Sequence, residues 1–188
     1  YEMLSGDWSS ECALPILGDA WTNCFITIGG AGNWGTADPT QVTGIGFNMT
    51  GQDGNGTGQL WVDEVVITEN PATPTPTPLC TYTVMNGCET IDENGVWSGT
   101  EATRAIVTSP PAAIAQGTSA LAVTLVTIGT GWMQDAAVLT GFDTGISNGV
   151  TTNTWVGVDR LRMNVYVPAG TFTGWAQISF VAVSNTDN

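Results

Sequence analysis

Histidine and lysine are absent from the 188-residue sequence, and its only basic residues are Arg104, Arg160 and Arg162. Without histidine, the chain lacks the commonest general base and the usual zinc or copper ligand. Seventeen acidic residues leave a formal net charge of -14. Such a surface repels phosphate backbones and anionic lipid. The composition therefore predicts no nucleic-acid binding and no peripheral membrane attachment, whereas calcium and neutral sugars are compatible with it.

Long apolar runs are also missing, because no stretch of 18 apolar residues occurs anywhere in the sequence. This absence predicts that the chain has no membrane span. Hydrophobic residues nevertheless make up 42% of the chain and charged residues only 11%. A chain of this composition can bury the core of one large or two small domains.

The four cysteines fall into two close pairs, Cys12 with Cys24 and Cys80 with Cys88. This spacing suits two local disulfides, although four cysteines allow three connectivities. The close spacing of a zinc site is missing. Glycosylation sequons begin at Asn48 and Asn55. Disulfides and sequons together favour an oxidising location, extracellular or at the cell surface.

The pattern of the remaining sequence is that of an all-β protein, with 24 glycines, many β-branched residues and no convincing helix. In one predicted strand, Leu161, Met163 and Val165 alternate with polar residues, which indicates one buried face and one wet face. We predict an antiparallel two-sheet sandwich of the jelly-roll type. Its strands are predicted at residues 12–17, 22–28, 42–50, 59–68, 81–85, 103–108, 120–128, 132–139, 160–167 and 175–183.

Residues 71–78 read Pro-Ala-Thr-Pro-Thr-Pro-Thr-Pro. Proline fixes φ and removes a backbone donor, so this stretch favours an extended, polyproline-type linker. It divides the chain into residues 1–70, a linker at 71–79, and residues 80–188. Thr73, Thr75 and Thr77 are candidate O-glycan acceptors, since threonine and proline tracts commonly carry such sugars. The alternative is a bare spacer.

Several segments resemble jelly-roll carbohydrate-binding modules. Residues 86–97 and 115–123 resemble the opening of such a module, with an acidic strand followed by Gly-Thr-Ser-Ala-Leu-Ala-Val, and residues 165–170 resemble its middle. Residues 18–22, 38–47 and 58–67 resemble the closing half, which ends in Gln-Leu-Trp-Val-Asp-Glu-Val-Val-Ile. The closing half therefore comes first. Either the chain is a circular permutant joined by the linker, or it is a repeat unit cut in the middle of a module.

The second explanation is favoured, because a rigid Thr/Pro spacer is suited to separating modules. It predicts that residues 1–70 and 80–188 pack in different modules. A head-to-tail contact that does not close generates a filament. The partners expected on this hypothesis are copies of the same chain, as a homo-polymer, together with covalent or bound glycans.

The resemblance also implies a structural calcium, held by Asp63 and Glu89 with backbone carbonyls near residues 117–119. Calcium prefers six to eight hard oxygen ligands. Alternatively, both carboxylates are simply solvated at strand edges. Cys88 stands where the family usually has an aromatic residue, which puts the register in doubt, and Asp92 and Glu93 are substitute ligands.

The sequence contains eight tryptophans, of which five lie beside loops or at strand ends and could stack on sugar rings: Trp8, Trp34, Trp132, Trp155 and Trp175. Trp34, Trp132 and Trp155 are the carbohydrate-binding candidates. The alternative for each is core or protomer packing. Adjacent carboxylates such as Asp63 and Glu64 point to opposite faces of a strand, so they cannot act together as acid and base. We therefore expect no enzyme. The sequence favours an extracellular, glycosylated filament protomer, with a non-catalytic carbohydrate-binding module as the alternative.

Overall fold

The computed structural model describes residues 3–4, 20–27, 40, 42–51, 58–69, 81–99, 102–108, 114–125, 133–147, 154–169, 171 and 176–184. These residues contain no helix, and hence none that could cross a membrane. The part of the chain described here forms eleven strands. They are β1 (Met3–Leu4), β2 (Trp21–Thr27), β3 (Val42–Gly51), β4 (Gly58–Glu69), β5 (Thr81–Asn86), β6 (Val96–Ser98), β7 (Thr103–Val107), β8 (Ala120–Leu125), β9 (Met133–Thr140), β10 (Val158–Tyr166) and β11 (Ala176–Ser184).

The strands form two sheets, and every pairing between them is antiparallel. The smaller sheet has the order β1-β11-β3-β9-β6. The larger sheet has the order β2-β10-β4-β8-β7, and β5 also pairs with β4. The predicted all-β class with two antiparallel sheets is confirmed.

One hydrophobic core contains side chains from both sheets. The smaller sheet contributes Ile45, Phe47 and Leu139, whereas the larger sheet contributes residues such as Val62 and Met163. The alternation predicted for β10 places Leu161, Met163 and Val165 in this core. Alternating apolar residues thus determine which face of each sheet is buried.

The opposite face of β10 is not uniformly wet, which corrects the prediction. Tyr166 on that face is only 4% exposed. Its ring lies 5.7 Å from the ring of Trp61 on β4 and 5.7 Å from that of Trp21 on β2. A second apolar cluster therefore covers one end of the larger sheet on the side away from the main core.

The glycine at position 46 in β3 is required by close packing within the smaller sheet. A Cβ atom there would overlap the carbonyl oxygen of Ala137 on the neighbouring strand β9. Glycine is the residue that permits such a close backbone approach. This glycine therefore lets β3 and β9 pair while Ile45 and Phe47 face the core.

Both sides of the Thr/Pro stretch contribute strands to both sheets. In the larger sheet, β4 precedes the stretch and pairs with β5, β8 and β10, all of which follow it. In the smaller sheet, β3 lies between β9 and β11. Within a single chain, residues 1–70 and 80–188 therefore contribute strands to the same two sheets. That they pack in different modules of an assembly stays a prediction. Residues 71–79 lie outside the described residues.

Two short strands were not predicted from the sequence. Strand β1 pairs with the end of β11, and β6 pairs with β9 through Val96, Trp97 and Ser98. Both pair on one side only among the described strands, and neither is long enough to show a hydrophobic period. The strand predicted at residues 12–17 lies outside the described part of the chain.

Candidate cation site at the bulge of strand β4

Strand β4 pairs with β10 along one side, and on its other side the neighbouring strand changes halfway along its length. Residues 58–62 pair with β8, and residues 65–69 pair with β5. Between these two stretches the ladder with β10 shifts register, and Glu64 adopts a left-handed φ of 54°. This irregularity is a β-bulge, which inserts an extra residue and re-aims side chains. The bulge places Asp63 and Glu64 at the point where β4 borders β5, β8 and β10.

Asp63 is fully buried at this junction. Its Oδ2 accepts a hydrogen bond from the backbone N–H of Gln116 at 2.7 Å, whereas Oδ1 is buried without a hydrogen-bond partner. Burial is the main reason that the pKa of Asp63 is raised to about 6; the charges of Glu64 and Glu89 contribute to this rise, and backbone hydrogen bonds from Gln116 and Glu64 oppose it. A buried carboxylate oxygen without a donor is unfavourable unless a cation or proton compensates it.

Glu89 lies on the other side of the same junction, in the loop between β5 and β6. Its Oε1 accepts from the Thr118 backbone N–H at 2.9 Å, and its Oε2 accepts from the Thr118 hydroxyl at 2.7 Å. These hydrogen bonds lower the pKa of Glu89. Gly117, with a φ of +70°, allows this approach, because a Cβ atom there would overlap the Glu89 carboxylate.

The loop between β5 and β6 is held by its own polar side chains. The carboxylate of Glu93 accepts from the backbone N–H groups of Gly87 at 3.0 Å and Glu89 at 2.8 Å. Asn86 is fully buried; its amide donates to the carbonyl of Glu93, and its Oδ1 accepts from the Cys88 N–H at 2.9 Å. Glu93, one of the two substitute ligands considered above, therefore stabilises the loop that contains Glu89. The other, Asp92, is exposed to solvent.

Asn94 fastens this loop to a neighbouring segment. Its amide donates to the carbonyls of Met85 at 2.7 Å and Asp143 at 2.9 Å, and its Oδ1 accepts from the Asp143 N–H at 2.8 Å. Asn94 has a left-handed φ of 40°, a conformation that asparagine tolerates better than most residues. The resemblance implied an acidic strand within residues 86–97, but β5 ends at Asn86 and β6 begins at Val96, so Glu89 lies in a loop.

The charge on the opposite face of the bulge is balanced internally. Glu64 Oε1 lies 3.0 Å from Arg162 Nη2, and its Oε2 accepts from the Asn164 amide at 2.9 Å. Asp63 and Glu64 thus project to different environments, as expected for neighbours on a strand. Arg162 compensates the charge of Glu64, and the two ion pairs formed by the described residues do not include Asp63.

The donor set around Asp63 and Glu89 fits a hard cation such as calcium. Two carboxylates from distant parts of the sequence share the junction, and one buried oxygen of Asp63 has no protein donor. Within the described ranges, no group of three or more acidic, cysteine or histidine side chains is assembled. Backbone carbonyls and water would therefore complete the six to eight oxygens that calcium needs.

Cys88 differs from the prediction. It carries a free thiol, is completely buried and adopts a left-handed φ of 56°, so the predicted disulfide with Cys80 is absent. Its side chain lies in the main core, and burial raises the pKa of the thiol. Cys24 is disulfide-bonded, and its partner lies outside the described residues, as do Cys12 and Cys80.

The other predicted site residues are distributed as follows. Trp155 is 1% exposed, and its ring packs edge-on against Phe142 with 5.8 Å between centroids, as the packing alternative expects. Asn48 lies within β3, between Ser179 of β11 and Ala136 of β9. The remaining candidates lie outside the described residues: Trp34, Trp132, Asn55, Thr73, Thr75 and Thr77.

A groove of about 450 Å³ was not foreseen from the sequence. It lies along the side of the larger sheet away from the main core and gathers two of the three arginines in the chain. Tyr82, which is 69% exposed, stands at its margin. The groove is lined by Asn23, Val66, Thr68, Tyr82, Asp159, Arg160 and Arg162.

Comparison with known proteins adds no relative: no family model, curated protein or solved structure matches this chain.

Proposed function

We propose that the chain is a structural protomer of an extracellular, glycosylated filament or surface fibre, built from jelly-roll modules joined by Thr/Pro linkers. The observation that carries the proposal is the composition of the two sheets. Each sheet contains strands from both sides of the Thr/Pro stretch. A module therefore depends on two segments separated by a spacer, and such a division suits a chain that links one module to another.

In this proposal the chain acts with copies of itself and carries sugars, and it performs no catalysis. O-glycans on Thr73, Thr75 and Thr77 would keep the spacer extended and hydrated, and N-glycans would be added at Asn48 and Asn55. Calcium is the proposed structural cofactor, with Asp63 and Glu89 supplying its carboxylate ligands. The cation would offset the charge of the two carboxylates that meet at the bulge.

Negative-stain microscopy of the secreted full chain, with calcium present, tests the proposal. We expect regular filaments with an axial repeat that matches one module plus its spacer. Scattered monomers at all protein concentrations would contradict it. Mass spectrometry of the same material tests the glycosylation, since peptides that contain residues 71–78 should carry hexose-type mass additions.

The groove on the larger sheet favours a second candidate function, that of a non-catalytic carbohydrate-binding module. An exposed tyrosine can stack on a sugar ring, and Arg160, Arg162 and Asn23 can donate hydrogen bonds to sugar oxygens. A glycan array tests this function. Tyr82→Ala should abolish binding, whereas Val96→Ala, at another exposed position on β6 in the smaller sheet, should preserve it. Equal binding by both variants would reject the groove as the site.

A further inference from the structure

We propose that neighbouring copies of this chain exchange segments across residues 70–80, so that β4 of one copy pairs with β5, β8 and β10 of the next. The inference rests on the proposed filament and specifies its contact. The partner is a second copy of the same chain, and the contact consists of strand pairs that the structure already defines.

The first argument is the geometry at the two ends of the Thr/Pro stretch. Glu69, the last residue of β4, is paired directly with Thr81, the first residue of β5. Antiparallel partners have Cα atoms about 5 Å apart. Hairpins that join such partners usually need a loop of only about two to five residues. The connection here is longer and contains Pro71, Pro74, Pro76 and Pro78.

A proline-rich sequence favours ends that lie far apart, whereas Glu69 and Thr81, which flank this stretch, are directly paired. At about 3.1 Å per residue, residues 71–78 would span roughly 25 Å in the polyproline conformation. If β4 and β5 of the same chain pair, the two ends of that stretch must lie at adjacent positions. If β5 pairs instead with β4 of another copy, the stretch can stay extended. Exchange of identical segments between copies is a low-cost route to assembly, because it reuses contacts that the single chain already makes.

The second argument is the nature of the surfaces that would be exchanged. Leu60, Val62, Val65 and Ile67 of β4 are fully buried against the rest of the core. Glu64 bonds Arg162 and Asn164, which lie beyond the Thr/Pro stretch. Residues 1–70 alone would leave these groups without partners. Only another copy of residues 80–188 supplies the same strands, the same register and the same polar contacts.

Segment exchange also changes which chains supply the ligands of the candidate cation site. Asp63 belongs to the segment before the Thr/Pro stretch, and Glu89 belongs to the segment after it. In exchanged copies, the two carboxylates come from different chains. A bound cation would then link neighbours in the filament directly. Each copy contributes residues 1–70 to one neighbour and receives the same segment from the other neighbour. The contact therefore does not close, and the assembly grows in one direction.

Paired cysteines at facing positions test the proposal. Thr68 and Tyr82 are directly opposed on β4 and β5, one on each side of the Thr/Pro stretch. The full-length Thr68→Cys/Tyr82→Cys variant should therefore give a ladder of covalent oligomers on a non-reducing gel after mild oxidation. The matched control is Thr103→Cys/Thr124→Cys, because these facing residues on β7 and β8 both follow the stretch. It should give only cross-linked single chains, and the unmodified chain should give neither pattern.

Two outcomes separate this inference from the proposed function. If filaments are seen but the Thr68→Cys/Tyr82→Cys variant gives only cross-linked single chains, segment exchange is wrong and the filament proposal stands. If no filament or oligomer forms, both fail. Mixing the Thr68→Cys and Tyr82→Cys single variants during expression provides the second measurement. A covalent dimer that contains one of each supports exchange, and its absence from oxidised filaments overturns it.

Discussion

Asp63 and Glu64 are neighbouring carboxylates on one strand, yet their surroundings differ completely. Glu64 is held by Arg162 at 3.0 Å and by Asn164 at 2.9 Å. Asp63 is fully buried, and one of its oxygens has no hydrogen-bond partner. At the bulge, Arg162 balances the charge of Glu64. Asp63 is left to be balanced by a proton or by a cation from outside the protein. Local sequence is nearly the same for both, so position relative to distant strands decides their roles.

Calcium should give the largest effect on this comparison. If Asp63 and Glu89 bind calcium, free calcium at 100 times its Kd should raise the free energy of unfolding by about 2.7 kcal/mol. Urea titrations in calcium and in chelator measure this difference. Asp63→Asn should remove most of the calcium response, whereas the matched Glu64→Gln change should retain it. An equal calcium response in Asp63→Asn would eliminate Asp63 as a ligand.

The pH dependence should be the next largest effect. Burial raises the pKa of Asp63 from 3.8 to about 6. Between these values the folded protein holds a proton that the unfolded chain has lost, so the contribution of Asp63 to stability grows as pH falls from about 6 towards 4. The gain should be on the order of 2 kcal/mol.

Urea titrations in chelator across this pH range measure the gain. Asp63→Asn should lose that part of the slope, whereas Glu64→Gln should keep it. In saturating calcium the trend should reverse, because protonation of Asp63 then competes with the cation. A wild-type slope in Asp63→Asn would assign the pH dependence to other carboxylates.

Two glycine substitutions sharpen the role of Glu89. Gly117→Ala places a side chain at a φ of +70° and against the Glu89 carboxylate. The left-handed backbone alone should cost about 1–2 kcal/mol. Gly145→Ala is the control, because its φ is +71° and nothing lies within 4 Å of the added Cβ. Thermal unfolding should show a greater loss for Gly117→Ala, and that variant should also bind calcium more weakly. Identical behaviour of the two variants would show that Glu89 can move freely.

The smallest effect should come from the balanced carboxylate. Glu64→Gln removes its ion pair with the half-buried Arg162 and should cost about 0.5–1 kcal/mol, with the loss reduced at high salt. Asp159→Asn provides the control, because Asp159 and the more exposed Arg160 are 3.6 Å apart. That change should have an effect close to zero by urea titration. A larger loss for Asp159→Asn would reverse the assignment of the stronger ion pair.

The positions of several strands along the chain followed from hydrophobic alternation. The strand predicted at residues 59–68 is β4, at Gly58–Glu69, and that predicted at residues 160–167 is β10, at Val158–Tyr166. The pairing of Asp63 with Glu89 as cation ligands stays a prediction, although the charge of Glu89 contributes to the raised pKa of Asp63. That prediction depended on family resemblance, since no local pattern connects residues so far apart in the chain.

The features that were missed depend on tertiary contacts. Strand β6 has only three residues, too few for a period to be visible. The short spacing of Cys80 and Cys88 suits a local disulfide, with other connectivities open, but Cys88 is a free thiol buried in the main core. Tyr166 was expected on a wet face, but Trp21 and Trp61 on neighbouring strands cover it. For Tyr166, residues distant in sequence therefore decide the exposure of the side chain.

The aromatic trio on the larger sheet gives the molecule an intrinsic optical reporter. Tyr166 lies between Trp21 and Trp61, so light absorbed by the tyrosine should be emitted by the tryptophans while β2, β10 and β4 remain side by side. Tyr166 and the two tryptophans also lie on opposite sides of the Thr/Pro stretch. Energy transfer from Tyr166 to these tryptophans therefore reports the association of the two segments in real time, without a label.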